Sequence, residues 1–256
     1  MTNNNTMKKS TGWAGAVLAL ALLQGCATGP GANPADPLEP FNRTMFNFNE
    51  GLDKAVLKPV ATAYRDVTPQ PVRTGVTSFF GNISDVWSIV NNVLQGKGEA
   101  AADSLARVTT NTLWGLGGIF DVASEMKIPK HTEDFGQTLG VWGVGSGPYL
   151  VLPLLGPSSV RDTAGLVVDS QLDLVTQASN VRARNSLTTL RVVNVRANLL
   201  GAGNVLDQAA LDKYSFTREI YQQRRNSLIG NASAEKEERF DLPEGAQTAP
   251  AAPAAK

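Results

Sequence analysis

The 256-residue chain has one cysteine, one histidine and no net charge, with 23 lysines and arginines matched by 23 aspartates and glutamates. The lone Cys26 excludes a disulfide within the chain, so stability must come from packing or from a membrane. Cys26 and the lone His131 cannot build a common zinc site, and no metal or cofactor is expected. Balanced charge gives no electrostatic footprint for nucleic acid. Catalytic motifs are missing as well. Ser146 sits in Val144-Gly145-Ser146-Gly147-Pro148, which is not a nucleophile elbow. The runs at Gly115 and Gly143 fail the dinucleotide pattern because Phe120 and Pro148 replace its third glycine. Gly96-Lys97 lacks the upstream glycine of a phosphate loop, since Asn91 stands there. No enzyme activity is expected, and His131 reads as a solvated loop residue.

What is present begins with a signal. Lys8 and Lys9 precede "WAGAVLALALL", Trp13 to Leu23, an apolar core of signal-peptide length and too short for a confident spanning helix. Met7 could equally serve as the start. The run ends Leu23-Gln24-Gly25-Cys26, which resembles a bacterial lipoprotein signal and implies acylation of Cys26. Several acyl chains anchor stably where one does not. Ala27 follows, not the aspartate of an inner-membrane retention signal, so the outer membrane is expected. The ends then divide the chain: signal peptide at 1–25, acylated tether at 26–35, a domain at 36–228 and a disordered Ala/Pro-rich tail at 229–256.

The body is expected to be all-α. Phe41, Met45, Phe48, Leu52 and Val56 recur at helical spacing, with Pro59 as the stop. Thr68 as cap and Pro69 as first residue open the next helix. Its broad stripe includes Phe79, Phe80, Ile83, Val86, Trp87, Val90 and Val93, with Gly81 a possible interruption. Gly96 and Gly98 end it, and a further helix covers 99–113. Leu187, Leu190, Val193, Ala197 and Leu200 repeat the pattern, and "DKYSFTREIYQQRRNSL" forms a closing polar, basic helix. Each apolar stripe fits two settings: the protein's own core, the usual one, or a membrane interface.

One segment stands apart. Between Asp134 and Arg161 no residue is charged, yet Gly136, Gly140, Gly143, Gly145, Gly147, Pro148, Pro153, Gly156 and Pro157 forbid an ordinary helix. Irregular backbone at membrane depth survives only when buried in protein or lining a wet cavity. Tight turns in a soluble core would use the same glycines.

Several long blocks tip this balance: "DPLEPFNRTMFNFNEGLD" from Asp36, "KPVATAYRDVTPQPVRTGV" from Lys58, "NNVLQGK" from Asn91, "RVTTNTLWGLGGIFDVA" from Arg107 and "EDFGQTLGVWGVGSGPYLVLPLLGPSSVRD" from Glu133, followed by Asp169. Together they closely resemble the MlaA (VacJ) family of outer-membrane lipoproteins. Pro40 and Ser78 depart from the family pattern, where glycine and asparagine are more usual. The positions carrying the resemblance include Asp36, Phe41, Asn42, Arg43, Asp134, Phe135, Gly136, Gln137, Gly147, Pro148, Tyr149, Arg161 and Asp162.

The resemblance implies a helical ring with a central channel, embedded in the inner leaflet of the outer membrane beside a trimeric porin. It implies removal of misplaced phospholipid from the outer leaflet and delivery to a soluble, MlaC-like periplasmic carrier. A polar path lowers the cost of moving a charged head group past hydrocarbon. On this reading Trp142, Gly143, Gly145, Gly147 and Tyr149 form a flexible rim of the lipid path, with Trp142 and Tyr149 as interfacial aromatics.

Overall fold

The structure, a computed structural model, describes residues 36–241. The signal, Cys26, the tether and residues 242–256 lie outside the described residues. Helix α1 (Glu39–Leu52) carries Pro40 in its first turn, where the missing N–H has no intrahelical partner to lose. The expected stop at Pro59 does not occur. Residues Asp53–Leu57 wind as a π turn, and α2 (Lys58–Val67) resumes with Pro59 in its first turn. Proline clashes with the carbonyl four residues back, and a wider turn just before it relieves that clash. Thr68 closes α2 rather than capping the next helix: its N–H bonds the Tyr64 carbonyl at 2.9 Å. Helix α3 (Gln70–Leu94) then begins one residue later than the spacing predicts, and Gly81 does not interrupt it.

Helix α4 (Gly98–Leu113) follows within a residue of expectation. Asp121 caps the single turn α5 (Val122–Glu125), and Asp134 caps α6 (Phe135–Val141). The glycine-rich segment then forms an unanticipated antiparallel hairpin of β1 (Tyr149–Leu152) and β2 (Gly156–Ser159), with Tyr149 opposite Ser159. Ser159 caps α7 (Val160–Leu172) and Asn180 caps α8 (Val181–Asn198). Short α9 (Leu200–Ala209) leads to α10 (Lys213–Asp241), which continues beyond residue 228, where the tail was expected to begin.

The packing closes a cycle. Helix α1 lies against β1, and β2 against α10; α10 packs on α6, α6 on α3, α3 on α8, and α8 on α2, which returns through the π turn to α1. Helix α4 flanks α3, and α7 flanks α6.

Burial along these helices is inverted. The seam between α3 and α4 holds Asn82, Asp85, Ser88, Asn91 and Asn92 against Ser104, Arg107, Thr110 and Asn111, all buried. Val72, Val90, Val93 and Leu94 of α3 are exposed, as are Leu105, Leu113 and Trp114 on and after α4. The common setting of an amphipathic stripe, against its own core, therefore does not hold for these exposed positions, although Phe80, Ala100 and Ala101 of the same helices are buried. Hydrogen bonds are stronger in a low-dielectric seam, while exposed apolar area in water costs about 25 cal/mol per Å². Buried apolar residues form only small clusters among the described residues, Ala61 with Ala197 and Leu200, and Tyr149 with Val151 and Tyr214. No described helix is long and apolar enough to cross a membrane.

Candidate functional site

The uncharged segment divides into a loop and a hairpin with opposite characters. Trp142 and every residue from Gly143 to Pro148 are exposed. The loop is held at both of its roots, and the Arg161 guanidinium also donates to the Val144 carbonyl at 3.4 Å. The Gly143 and Val144 N–H groups bond Gly140 and Leu139, while Val160 and Arg161 donate backbone N–H bonds to Pro148 and Ser146. Gly143 has φ +91°, a conformation other residues rarely adopt. Gly145 between these roots has open space around it. The Trp142 indole N–H donates to the Leu94 carbonyl at 3.0 Å, which ties the loop base to the end of α3.

Tyr149 lies elsewhere than the sequence reading placed it. It is 2% exposed, packed in an aromatic cluster with Tyr214 and Tyr221. It is a β1 core residue, not a rim aromatic, because strand alternation turns Tyr149 and Val151 inward together. Burial, then the nearby Asp36 charge, pushes its hydroxyl up to about 12.

Helix α1 grips the hairpin through two amides. The Asn42 side-chain nitrogen donates to the Tyr149 carbonyl at 3.0 Å, and its oxygen accepts from the Val151 N–H at 2.9 Å. Asn42 thus pairs with β1 as a neighbouring strand would. One face further along, Asn49 donates to the Leu152 carbonyl and accepts from the Leu154 N–H. Asn49 was not singled out from the sequence. Its spacing of seven from Asn42 on one helix was the available signal. Asp36, buried, accepts from Asn42, from the Tyr214 hydroxyl and from Arg218 at 3.0 Å. Arg43 pairs with Glu39 and Asp212 and lies 4.4 Å over the Tyr214 ring. Phe41 is half-buried.

A second polar junction joins α6, α7 and α10. Asp134 caps α6 through the Gln137 N–H and receives two bonds from Arg225, at 2.5 and 2.9 Å. Asp162 accepts from Arg225, Arg161 and the Tyr221 hydroxyl. Burial alone would raise both carboxyls, but Arg225 overrides it and holds each below the usual range, with Tyr221 assisting at Asp162. Gly136 sits directly under this junction: a Cβ there would lie 2.7 Å from both Arg225 and Asp162. Phe135 gives its N–H to Asp169 at 3.0 Å. The α10 partners Tyr214, Arg218, Tyr221 and Arg225 recur at helical spacing on one face, legible in principle in a helix read only as polar and basic.

A cavity of about 580 Å³ opens between α3, α7 and the segment leading to α8. Val86, Trp87, Val90, Leu166 and Leu172 make its apolar wall, and Asp169, Asp173 and Arg191 are among its polar groups. His131 stands apart, its Nε2 2.9 Å from Asp103. Among the described residues no group of acids, histidines or cysteines could hold a metal.

These features define a class: a helical protein with large apolar side chains exposed, a hydrogen-bonded polar seam inside, and a glycine-rich loop leading into a hairpin clasped from two sides. The chain belongs to the MlaA lipoprotein family, whose model matches residues 34–228. It is 39% identical over 231 residues to the intermembrane phospholipid transport system lipoprotein MlaA of Escherichia coli strain K12, covering 86% of this chain and 90% of that one. The MlaA of Haemophilus influenzae is 34% identical, with 81% of this chain and 86% of the relative covered. A solved structure described as the structural basis for maintenance of bacterial outer membrane lipid asymmetry superposes with a TM-score of 0.67 at 36% identity. It covers 76% of this chain and 98% of its own.

Proposed function

We propose that this protein is an outer-membrane lipoprotein, anchored through Cys26, that takes misplaced phospholipid from the outer leaflet and passes it inward. The observation that carries this reading is the inverted burial: Leu105, Leu113 and Trp114 outside, Ser104, Arg107 and Asn111 inside. Such a surface is matched to hydrocarbon, and the polar interior offers head groups a route that lipid does not. The closed cycle of helices and hairpin supports a central path, with the exposed loop Gly143–Gly147 at its rim and Trp142 at the loop base. Tyr149 is removed from that rim and acts as the buried foot of the hairpin. The names of the relatives, lipoproteins of an intermembrane phospholipid transport system, support the substrate class. By the same resemblance the partners are a trimeric porin and a soluble MlaC-like carrier, with the protein on the periplasmic side of the outer membrane. No catalysis, cofactor or nucleic acid enters this reading.

The test is surface phospholipid in cells lacking the protein, compared with cells carrying wild type or Cys26→Ser. Excess outer-leaflet phospholipid, reversed by wild type and not by Cys26→Ser, is expected. Unchanged surface phospholipid in the deletion would defeat the transport reading and favour a porin-binding adaptor.

A further inference from the structure

The cavity between α3, α7 and α8 has a charge pattern that bears on which phospholipid it takes. Four carboxylates and one guanidinium line it among the described residues: Glu133, Asp134, Asp169, Asp173 and Arg191. Three of the four acids are already neutralised. Glu133 pairs with Lys97 at 2.7 Å, Asp134 with Arg225 at 2.5 Å, and Asp173 with Arg191 at 2.7 Å. Asp169 is different. It accepts only from neutral donors, the Trp87 indole N–H at 2.6 Å and the Phe135 backbone N–H at 3.0 Å, and both bonds end on Oδ1. Its Oδ2 accepts no bond among the described residues. The cavity wall therefore keeps one carboxylate outside any ion pair, with Arg225 acting on it only from a distance, beside an apolar surface that suits an acyl chain.

We propose that Asp169 Oδ2 receives the ammonium of a zwitterionic phospholipid head group, so that this cavity prefers ethanolamine phospholipid to phosphatidylglycerol. The inference rests on the lipid-transport reading and specifies the substrate within it. Arg191 complements the assignment. Only its Nη2 is used by Asp173, which leaves guanidinium N–H groups for the phosphate that both lipids share. The phosphate contact thus provides affinity, and the amine provides discrimination. A glycerol head group offers Asp169 hydroxyls but no positive charge, and a charged donor makes roughly twice as strong a hydrogen bond as a neutral one. Burial, with the neighbouring Asp134 charge, holds the Asp169 carboxyl above the ordinary aspartate range despite the Trp87 and Phe135 bonds and the attraction of Arg225, and a bound ammonium would favour its charged form. Asn at this position keeps an oxygen for Trp87 and Phe135, so Asp169→Asn removes the charge while preserving both anchoring bonds.

The experiment exchanges the purified full-length lipoprotein, in detergent, against mixed micelles of equal phosphatidylethanolamine and phosphatidylglycerol. Retained lipid is then measured by mass spectrometry. Wild type is expected to retain the ethanolamine lipid in about tenfold excess, the scale of one charged contact, and Asp169→Asn to lower that ratio towards one. Asp169→Glu, which restores the charge, should recover part of the preference. Equal retention of both lipids by wild type would overturn the head-group assignment and leave the transport reading intact. An undiminished ratio in a folded Asp169→Asn would do the same. Retention of neither lipid would count against both.

Discussion

At the scale of single residues, polar side chains do what backbone usually does. Asn42 and Asn49 supply the hydrogen bonds of a missing neighbour strand to β1 and the turn that follows it. Arg225 joins the cap of α6 to the first turn of α7 through two carboxylates. Those carboxylates give the junction a pH dependence. Asp134 and Asp162 have folded pKa values held below their unfolded values of about 4. Their stabilising contribution is present above that unfolded value and is lost as pH falls through the depressed folded values. Acidification from about pH 4 downward should therefore release α10 from α6 and α7. Hydrogen exchange along residues 218–229 as a function of pH checks this, and protection that persists unchanged to pH 2 would contradict it.

At the scale of elements, contact is set by glycine as much as by side-chain packing. Helices α6 and α7 meet at Gly136 and Gly165, where a Cβ on Gly165 would stand 2.4 Å from the Gly136 nitrogen and 2.7 Å from its Cα. Backbone cannot yield as a side-chain tip does, so Gly165→Ala should cost about 2 kcal/mol or more by overpacking. Gly201 in α9 has nothing within 4 Å, and Gly201→Ala should instead stabilise by about 0.5–1 kcal/mol. Thermal unfolding of the two variants in detergent compares them directly. A Gly165→Ala protein as stable as wild type would mean that this crossing tolerates separation. Elements differ in how much the sequence discloses of them. Helix α4 was legible because Gly96 and Gly98 break the preceding run. The continuation past Pro59 was not, since the local rule registers a missing N–H and cannot anticipate a π turn that accommodates it. The hairpin was hidden because Pro153, Gly156 and Pro157 mask any two-residue alternation, and the amides that hold β1, Asn42 and Asn49, lie over a hundred residues away.

At the scale of the whole molecule, the usual rule of mutational sensitivity is reversed. Ser104 is buried, with its hydroxyl on the Ala100 carbonyl, while its neighbour Leu105 is 56% exposed. Ser104→Leu, which adds apolar bulk to a tight polar seam, should destabilise by about 1–3 kcal/mol. Leu105→Lys should leave melting in detergent unchanged and weaken binding to lipid vesicles, since a charge facing hydrocarbon costs about 2–4 kcal/mol at its deepest. Flotation of both proteins with vesicles measures this. Equal flotation of Leu105→Lys and wild type would place that face in water. This is also where sequence reading stops short: periodicity locates a stripe on α3 or α4 but does not name the medium it faces. The family motif positions Asp36, Asn42, Asp134, Gly136, Arg161 and Asp162 were legible as a set. That Asp36, Asp134 and Asp162 are held by α10 was not, because the partners Tyr214, Arg218, Tyr221 and Arg225 come from the far end of the chain.

The π turn at Asp53–Leu57 works as a phase adjuster. Each residue advances an α-helix by about 100°, so the one extra residue of a π turn offsets everything after it by that angle. Helix α1 can thus present Asn42 and Asn49 to the hairpin while α2 turns Ala61 and Tyr64 towards α8. Deleting one residue there would remove the offset and mistime the second half, swinging Ala61 away from Ala197. The gearing between hairpin and helix pair is therefore set by chain length at one point, and a deletion there would be felt where most substitutions would not.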